Sequence, residues 1–507
     1  MNPTLYFDAA PEDNAAFQAQ SLRSAAALHA LGVGAGDVVA FMLHNEPLWL
    51  ELVLAARSLG AHYCLINWNF KSAEARHVLQ DSGAKVLVVH ADLLDQIRDA
   101  VPSHVQVFTA TPRARTVLAF DVQATADPAP TATWESHRDS VARPALGTGV
   151  VGSLMVYTSG TTGLPKGVKR SPPTALQLQQ MAQITGIVLG IEKGMRALVS
   201  APMYHSAPAS YVLQAALQDA HLWIEPRFDA EQSLRLIATH RITHAYLVPT
   251  MMRRMLRLAQ EVRGQYDVSS LRFVACTGAP CPTQVKQAMI EWLGPIIHES
   301  YAASELGWIT HVNSADALRK PGSAGRALPG TVLKILNEDG GELPAGEVGL
   351  IHARQEAVPD FTYTNNDAAR RKIERHGLWT LGDMGFKDAE GFLYVVDRQN
   401  DMIISGGVNI YPAEIEAHLV TMPGVADCAV FGIPDEDFGE SVLAAVQPVA
   451  GSALSSEQVQ AYLRERIAGY KVPRSVTFHA QLPREDTGKI FKRKLRDPYW
   501  EGMTRRV

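Results

Sequence analysis

Short apolar runs alternate with helix-like patterns over the first ninety residues of the chain. Residues 15–32 carry apolar side chains near helical spacing and end at Gly32, which predicts an amphipathic helix. The elements predicted after it are a strand at 38–43, a helix at 46–60, a strand at 61–66, a helix at 72–82 and a strand at 85–89. Such alternation is typical of parallel βαβ units in an α/β sheet.

The same alternation returns after residue 194 and predicts a second doubly wound half. Its predicted elements are a strand at 197–201, a helix at 210–220, a strand at 221–224, a helix at 230–240 and a strand at 245–248. Between the two halves, residues 109–148 are rich in Ala, Thr and Pro. We therefore expect a surface connection with little regular structure in that stretch.

The pattern becomes β-rich and turn-rich after about residue 320. Residues 337–341, with the sequence NEDGG, separate two alternating runs as a hairpin turn does. A strand at 426–433 and a helix at 455–468 indicate a further unit that begins near residue 400. We predict an α/β protein with a large N-terminal domain of doubly wound sheets plus a β-rich subdomain (1–398) and a small α+β C-terminal domain (399–507).

Composition and charge narrow the class of protein. The 507 residues are 47% hydrophobic and 20% charged, which excludes a disordered or fibrous chain. The net charge of −5 includes no run of like charges, so neither nucleic acid nor an anionic membrane is an expected partner. No stretch reaches the length of a membrane span. No Lys or Arg precedes Arg23, which argues against a targeting leader and favours a cytoplasmic location.

The cysteine count agrees with a reducing compartment. Four cysteines are too few for a disulfide framework in a chain of this size, and their spacing does not match a zinc site. The four are Cys64, Cys276, Cys281 and Cys428, and we expect Cys276 and Cys281 to be packing residues.

The densest chemical signal is a glycine-rich loop at residues 157–167, YTSGTTGLPKG, which follows an apolar run. It offers four Ser and Thr hydroxyls, three glycines and the cation of Lys166. Phosphate oxygens bind such donors where glycine permits a close approach. The loop is not a Walker A motif, because Gly160, Gly163 and Lys166 lie three residues apart. A plain flexible turn is the alternative.

This loop resembles the phosphate-binding signature of the AMP-forming acyl-adenylate enzymes, which include acyl-CoA synthetases, adenylation domains of peptide synthetases and luciferases. Further motifs that resemble this family follow in order from about residue 20 to about residue 495. The fatty-acyl and aryl CoA ligase branch is the most similar. The resemblance implies ATP, Mg²⁺ and coenzyme A as cofactors and a small-molecule carboxylic acid as substrate.

The resemblance also implies a nucleotide site. The segment YAASE at 301–305 is similar to the family's Tyr-Gly-x-Thr-Glu, so that Tyr301 would stack on adenine, Ser304 would bind the α-phosphate and Glu305 would hold Mg²⁺. Ala302 stands where the family has Gly, and its methyl group predicts a tighter acid pocket. The remaining nucleotide contacts implied are Thr158, Ser159, Gly160, Thr161, Thr162, Gly163 and Lys166 for the phosphates, Gly278, Ala279 and Pro280 for adenine, and Asp383 and Arg398 for ribose.

A segment at 202–208, PMYHSAP, is similar to one that lines the acid site of related ligases. His205 is therefore a candidate for the pocket wall or gate, and a structural histidine is the alternative. No Gly-x-Ser-x-Gly pattern is present, which argues against a hydrolase.

The C-terminal motifs concern motion and the adenylation step. Residues 401–416 resemble the family's hinge-and-loop signature, in which a loop that contains Gly406 and Gly407 swings over the adenylate. Asn400 stands at the hinge position, and its side chain tolerates unusual backbone angles. The segment PREDTGK at 483–489 resembles the one with the adenylation lysine, here Lys489; a solvated surface lysine is the alternative.

Together these parts imply an acid–thiol ligase of fatty acid metabolism that works by domain alternation. The acid would attack ATP to give acyl-AMP and pyrophosphate, and coenzyme A would then displace AMP. The residues expected at the reacting groups are Lys489, Glu305, Thr161 and His205. One alternative is an adenylate-forming ligase that passes the acyl group to an amine or to a carrier-protein thiol, which would act in trans. Another is a non-catalytic ATP-binding protein. Base rates for oligomers favour a homodimer.

Overall fold

The computed structural model describes residues 3–7, 11–122, 132–141, 151–158, 165–484 and 490–501. The chain divides into two compact units. The first comprises Met1–Arg319, Leu328–Thr331 and Gln355–Glu374, and the second comprises Lys320–Ala327, Val332–Arg354 and Arg375–Val507. The domain border between residues 398 and 399 stays a prediction.

Helices and strands alternate through most of the described residues. The helices are α1 (Asn14–Ala30), α2 (Pro47–Ser58), α3 (Ser72–Ser82), α4 (Ala91–Leu94), α5 (Ala114–Phe120), α6 (Trp134–Ser140), α7 (Ala175–Leu189), α8 (Ser206–Leu217), α9 (Ala230–His240), α10 (Pro249–Leu256), α11 (Gln260–Arg263), α12 (Thr283–Leu293), α13 (Ser314–Arg319), α14 (Asp367–Lys372), α15 (Pro412–Leu419), α16 (Ser456–Arg464) and α17 (Lys492–Arg496). Short 3₁₀ helices span Arg98–Ala100, Gly469–Lys471 and Asp497–Trp500.

The strands are β1 (Thr4–Tyr6), β2 (Val38–Met42), β3 (His62–Leu65), β4 (Ala84–His90), β5 (Gln106–Ala110), β6 (Leu154–Thr158), β7 (Lys166–Arg170), β8 (Arg196–Val199), β9 (His221–Ile224), β10 (His244–Tyr246), β11 (Phe273–Cys276), β12 (Ile297–Ala303), β13 (Gly307–Val312), β14 (Arg326–Ala327), β15 (Thr331–Leu336), β16 (Gly349–Gln355), β17 (Phe361–Tyr363), β18 (Glu374–Arg375), β19 (Leu378–Trp379), β20 (Asp383–Lys387), β21 (Leu393–Arg398), β22 (Ile403–Ser405), β23 (Val408–Ile410), β24 (Val425–Asp435), β25 (Gly439–Pro448) and β26 (Ser475–Phe478).

One sheet of the first unit has the strand order β17-β7-β6-β3-β2-β4-β5. Strands β6, β3, β2, β4 and β5 run parallel, whereas β7 and β17 are antiparallel to their neighbours. Strand β2 is buried along its whole length, as expected where helices cover both faces of a parallel sheet. The βαβ pattern predicted for the first ninety residues is confirmed.

A second sheet of the first unit runs in the order β1-β9-β8-β10-β11-β12-β13. All of these strands are parallel except β13, which returns antiparallel to β12. The second doubly wound half is therefore confirmed. Because the strands are parallel, the carboxyl ends of β8, β10, β11 and β12 lie along one edge, which is where ligands bind in open α/β sheets.

The connection at 109–148 is more regular than predicted, so that prediction is wrong in part. Helices α5 and α6 lie within it, and Trp134 at the start of α6 is fully buried. The Trp134 indole N–H donates to Ser24 Oγ at 3.3 Å, and Arg138 pairs with Glu51 at 3.1 Å. These long-range contacts stabilise a segment whose Ala, Thr and Pro content gave no periodic signal.

The second unit contains a β-rich part and an α+β part. In the first of these, the Asn337 N–H donates to the carbonyl of Gly341 at 2.9 Å, which confirms the hairpin turn. In the second, β24 and β25 form a long antiparallel pair, and β26 lies parallel to β25. Helices α15 and α16 contribute Ile415, Val459 and Leu463 to a separate apolar core over this sheet. The predicted α+β character is confirmed.

The four cysteines are all buried and unbridged, which agrees with the packing role predicted for Cys276 and Cys281. Burial also raises the pKa of the Cys64 thiol, so that this group stays protonated. Among the described residues, no helix has the length and apolar character needed to cross a membrane.

Candidate active site

The glycine-rich loop connects two antiparallel strands of the first sheet. Thr158 ends β6 and pairs in register with Lys166, the first residue of β7, so the two ends of the loop lie side by side. The ammonium of Lys166 lies 5.3 Å from the ring centre of Tyr363 on the adjoining β17. The other predicted phosphate contacts, Ser159, Gly160, Thr161, Thr162 and Gly163, lie outside the described residues.

Glu305 lies in the turn between β12 and β13, where its side chain is buried. The Tyr363 hydroxyl donates to Glu305 Oε1 at 3.1 Å. Burial, together with Glu305, raises the pKa of Tyr363, so the phenol remains a proton donor to the carboxylate. Sequence analysis did not find Tyr363, which is remote from Glu305 along the chain.

Arg170 is a second residue that sequence analysis missed. Its guanidinium donates to the backbone carbonyls of Ser304 and Glu305, the latter at 3.0 Å. Burial lowers the pKa of Arg170 to about 10 despite the opposing effects of Glu305 and Asp360. The guanidinium stays charged at neutral pH and fixes the backbone that carries Ser304 and Glu305. The one sequence feature that could have pointed to Arg170 is its place a few residues after the glycine-rich loop.

The acid segment meets the Ser304 loop. His205 forms the N-terminal boundary of α8, and its ring lies 4.2 Å from that of Tyr204. The next residue, Ser206, places its hydroxyl oxygen 3.5 Å from that of Ser304. The structure therefore brings the segment 202–208 and the segment 301–305 together.

The predicted adenine contacts occupy the ends of two neighbouring parallel strands. Gly278 follows β11 with a φ of +94°, a conformation that glycine adopts without strain. The Thr277 hydroxyl donates to the Ser300 carbonyl at 2.9 Å, which holds the turn with Ala279 and Pro280 beside the strand that carries Tyr301. A register shift follows Tyr301, at Ala302.

Asp383 and Arg398 come together within the second unit. They are opposite each other on β20 and β21, and Arg398 Nε lies 3.2 Å from Asp383 Oδ1. The carboxylate of Asp383 is largely buried. An oriented carboxylate of this kind can accept hydrogen bonds from neighbouring hydroxyl groups of a ligand.

Gly406 and Gly407 form the turn between β22 and β23, also in the second unit. Their φ values of +57° and +79° lie in the left-handed region, which glycine adopts without steric cost because it has no Cβ. The Gly406 N–H donates to the Phe438 carbonyl at 2.8 Å. Asn400 lies in the turn that follows β21, and Lys489 lies outside the described residues.

A cluster of His44, His90 and Asp92 has the spacing of a metal site, and nothing in the sequence had suggested it. The backbone N–H of His44 donates to His90 Nδ1 at 3.0 Å, and His90 Nε2 lies 3.6 Å from Glu46 Oε2. His44 Nε2 lies 2.9 Å from Asp92 Oδ2. Both histidines therefore already contact other polar groups of the protein.

The chain matches the model of the AMP-binding enzyme family over residues 15–359 and the model of the AMP-binding enzyme C-terminal domain over residues 414–489. It belongs to this family. It is an AMP-forming acid–CoA ligase, a class that uses ATP and coenzyme A.

Individual relatives cover nearly the whole chain. An indoleacetate–CoA ligase of Aromatoleum aromaticum is 35% identical over 487 residues, which are 94% of this chain and 90% of the relative. A long-chain-fatty-acid–CoA ligase of Mycobacterium tuberculosis is 34% identical over 488 residues, 94% of this chain and 91% of the relative. The o-succinylbenzoate CoA synthetase of Bacillus subtilis, solved with its acyl-adenylate intermediate, superposes with a TM-score of 0.80 at 27% identity and covers 97% of this chain and 95% of its own.

Proposed function

We propose that this protein activates a fatty or aryl carboxylic acid as its acyl-adenylate and then transfers the acyl group to the thiol of coenzyme A. The observation that carries the proposal is the contact between Ser206 of the acid segment and Ser304 of the nucleotide segment, 3.5 Å apart. An acid held by the first segment would lie next to an α-phosphate held by the second. Relatives named for a fatty acid and for indoleacetate support both substrate types.

In the first step, a carboxylate oxygen of the acid bonds to the α-phosphorus of ATP, and the bond to pyrophosphate breaks. Charge develops on phosphoryl oxygens, so positioned donors and cations provide most of the catalysis. Lys166, Ser304 and Lys489 would supply these donors. Arg170 would act indirectly, because it holds the backbone of Ser304 and Glu305.

Glu305 is the residue that would hold Mg²⁺. Nucleotide sites bind this ion through one or two carboxylates together with phosphate oxygens, and a single buried carboxylate oriented by Tyr363 fits that requirement. When bound, the ion would neutralise charge on the phosphates. Tyr363 would keep the carboxylate in one orientation.

In the second step, the thiolate sulfur of coenzyme A bonds to the acyl carbon, and AMP leaves with the electrons of the anhydride bond. Asp383 would hold the ribose hydroxyls, with Arg398 beside it. Rotation at Asn400 would bring the Gly406-Gly407 turn to the adenylate. We also propose a cytoplasmic location, supported by four unbridged cysteines, and a homodimer, which light scattering on the purified protein would test.

The test is AMP release from ATP and Mg²⁺ over a panel of aliphatic and aromatic acids, with and without coenzyme A. We expect release that needs both an acid and coenzyme A, and the active acids identify the substrate. Release that ignores coenzyme A but responds to an amine or a carrier protein would overturn the proposed acceptor. No release with any acid would overturn the activity.

A further inference from the structure

Asn45, in the loop that follows β2 of the first sheet, binds the backbone of the acid segment. Its side chain is buried, with 1% of its surface exposed. The amide nitrogen donates to the carbonyl of Ala201 at 3.0 Å and to that of Glu225 at 3.2 Å. The amide oxygen accepts from the N–H of Met203 at 2.8 Å. One side chain thus binds both sides of Pro202, where the acid segment begins.

Aromatic contacts from the same sheet reach the next residue of the segment. The Trp68 ring meets the Tyr204 ring edge-on at 4.6 Å, and the His44 ring lies 5.3 Å from Trp68. Tyr204 in turn contacts His205. The first sheet therefore supports residues 201–204, which belong to the second half of the unit.

The Asn45 amide suits this role because its three hydrogen bonds are directional and enclosed. A buried amide with all these partners holds its neighbours in one arrangement, whereas its loss leaves two carbonyls and one N–H unpaired in the interior. Pro202 has no N–H with which to compensate. The segment would have to shift, and Ser206 would move relative to Ser304.

We propose that Asn45 is a positioning residue of the acid site, which acts through the backbone of residues 201–203 and not by contact with the substrate. The inference rests on the proposed function of the segment 202–208. It predicts that Asn45 controls the affinity and selectivity for the acid but leaves ATP binding unchanged. If Asn45 had a structural role alone, its substitution would lower stability and would not change the KM for the acid more than the KM for ATP.

The experiment compares Asn45→Leu, which removes all three hydrogen bonds, with Asn45→Asp, which retains the acceptor for Met203. The control is Ser24→Ala, a buried polar substitution in the same unit, because Ser24 bonds Glu51 and Trp134 and not the acid segment. Adenylation is followed by ATP–pyrophosphate exchange, with separate KM values for acid and ATP, below the melting temperature of each variant.

We expect the KM for the acid to rise about tenfold to a hundredfold in Asn45→Leu, and less in Asn45→Asp, while the KM for ATP stays within about twofold. Amide hydrogen exchange at Met203 should quicken in Asn45→Leu, which loses the acceptor of that N–H, and change little in Asn45→Asp, which keeps it; this readout needs no activity. Equal changes in the two KM values, or an acid KM no different from that of Ser24→Ala, would overturn the proposal.

If the proposed function is wrong, the result is different. The unsubstituted protein would then show no ATP–pyrophosphate exchange with any acid. If Asn45→Leu does not fold, the acid KM of Asn45→Asp decides the question, because this variant still loses the bonds donated to Ala201 and Glu225. An acid KM of Asn45→Asp equal to that of the unsubstituted protein would contradict the role.

Discussion

Two polar regions of this ligase are held by different interactions. Around Glu305, in the first unit, the partners are the Tyr363 hydroxyl and the Arg170 guanidinium, which binds backbone carbonyls. Around the turn after β21, in the second unit, the partners are ion pairs. Lys492 pairs with Glu416 at 2.8 Å, and Arg496 pairs with Asp401 at 3.2 Å.

In the second region, the pKa of Lys492 reflects two opposing effects, burial and nearby carboxylates. Burial disfavours the charged form of Lys492, but Glu416, Asp397 and Asp401 outweigh it and raise the pKa of the lysine. Asp397 also accepts from the Ala413 N–H near the start of α15 at 2.9 Å. This acidic group therefore links β21 to the helix beyond the turn.

The two kinds of interaction, hydrogen bonds around Glu305 and ion pairs around the turn after β21, suit the proposed tasks of the two regions. Directional hydrogen bonds fix a carboxylate in one orientation, which preorganised catalysis requires. Attraction between charges varies slowly with distance and direction, so a cluster of ion pairs can tolerate a change in geometry. A region next to a proposed hinge needs that tolerance, whereas the Glu305 region does not.

The largest expected effect concerns the proposed adenylation lysine. Lys489→Ala should lower acyl-AMP formation about a thousandfold, because a cation at the α-phosphate is lost. Conversion of supplied acyl-AMP to the thioester should change less than about threefold, since that step does not need the lysine. The two half-reactions are measured separately. Equal loss in both would show that Lys489 does not act in the first step alone.

The ion pairs of the second region can be broken at Lys492. Lys492→Met should lower the free energy of unfolding of the C-terminal sheet by about 2–3 kcal/mol, because Glu416 would be left without its cation. Hydrogen exchange of residues 425–448 in urea measures this. Arg493→Met is the control, since its pair with Asp497 is exposed and is worth less than about 0.5 kcal/mol. Similar losses in both variants would refute a special role for Lys492.

The stability of the protein should depend on pH through Glu225, whose backbone carbonyl accepts from Asn45. Burial raises the pKa of Glu225 to about 7, although Ser200 and Ser233 both donate to it. The folded state therefore keeps this proton between about pH 4.5 and 7 while the unfolded state loses it, and stability falls as pH rises through that window. The loss should total about 3 kcal/mol.

Glu225→Gln removes this titration and retains an acceptor for the two serines. Urea unfolding at several pH values compares it with the unsubstituted protein. As pH rises across the window, the unsubstituted protein should lose stability relative to Glu225→Gln. A constant difference would contradict the assigned proton.

A smaller effect is expected at Tyr363. Tyr363→Phe removes one hydrogen bond to Glu305, worth about 1 kcal/mol, and should raise the Mg²⁺ concentration needed for half-maximal adenylation about fivefold. Tyr266→Phe is the matched control, because Tyr266 donates to Glu231 at 2.7 Å in a bond of the same type. An equal response of both variants would argue against orientation of Glu305 by Tyr363.

An effect on the range of substrates alone is expected at Ala302. Ala302→Gly removes one methyl group where the family has glycine, and the range of accepted acids should widen, with bulkier acids gaining about tenfold or less in kcat/KM. The acid panel measures this directly. An unchanged acid profile would show that residue 302 does not limit the pocket.

Much of the fold was predictable because it depends on local patterns. The periodicity of 38–89 and 197–248 predicted the parallel strands, and the helix predicted at 72–82 is α3. The two helices within 109–148 were missed, since their formation depends on burial of Trp134 and on the contact of Arg138 with Glu51. No nearby residue signals such contacts.

The amino-acid sequence was enough to identify the family, the order of its motifs and the residues that carry them, because those motifs are short and their chemistry is local. The contacts of Arg170 with the carbonyls of Ser304 and Glu305, and of Asn45 with the acid segment, could be found in the folded protein alone. These partners lie more than a hundred residues apart. Their contacts arise from the way the strands pack into sheets, a sum of many weak interactions that no single stretch of sequence encodes.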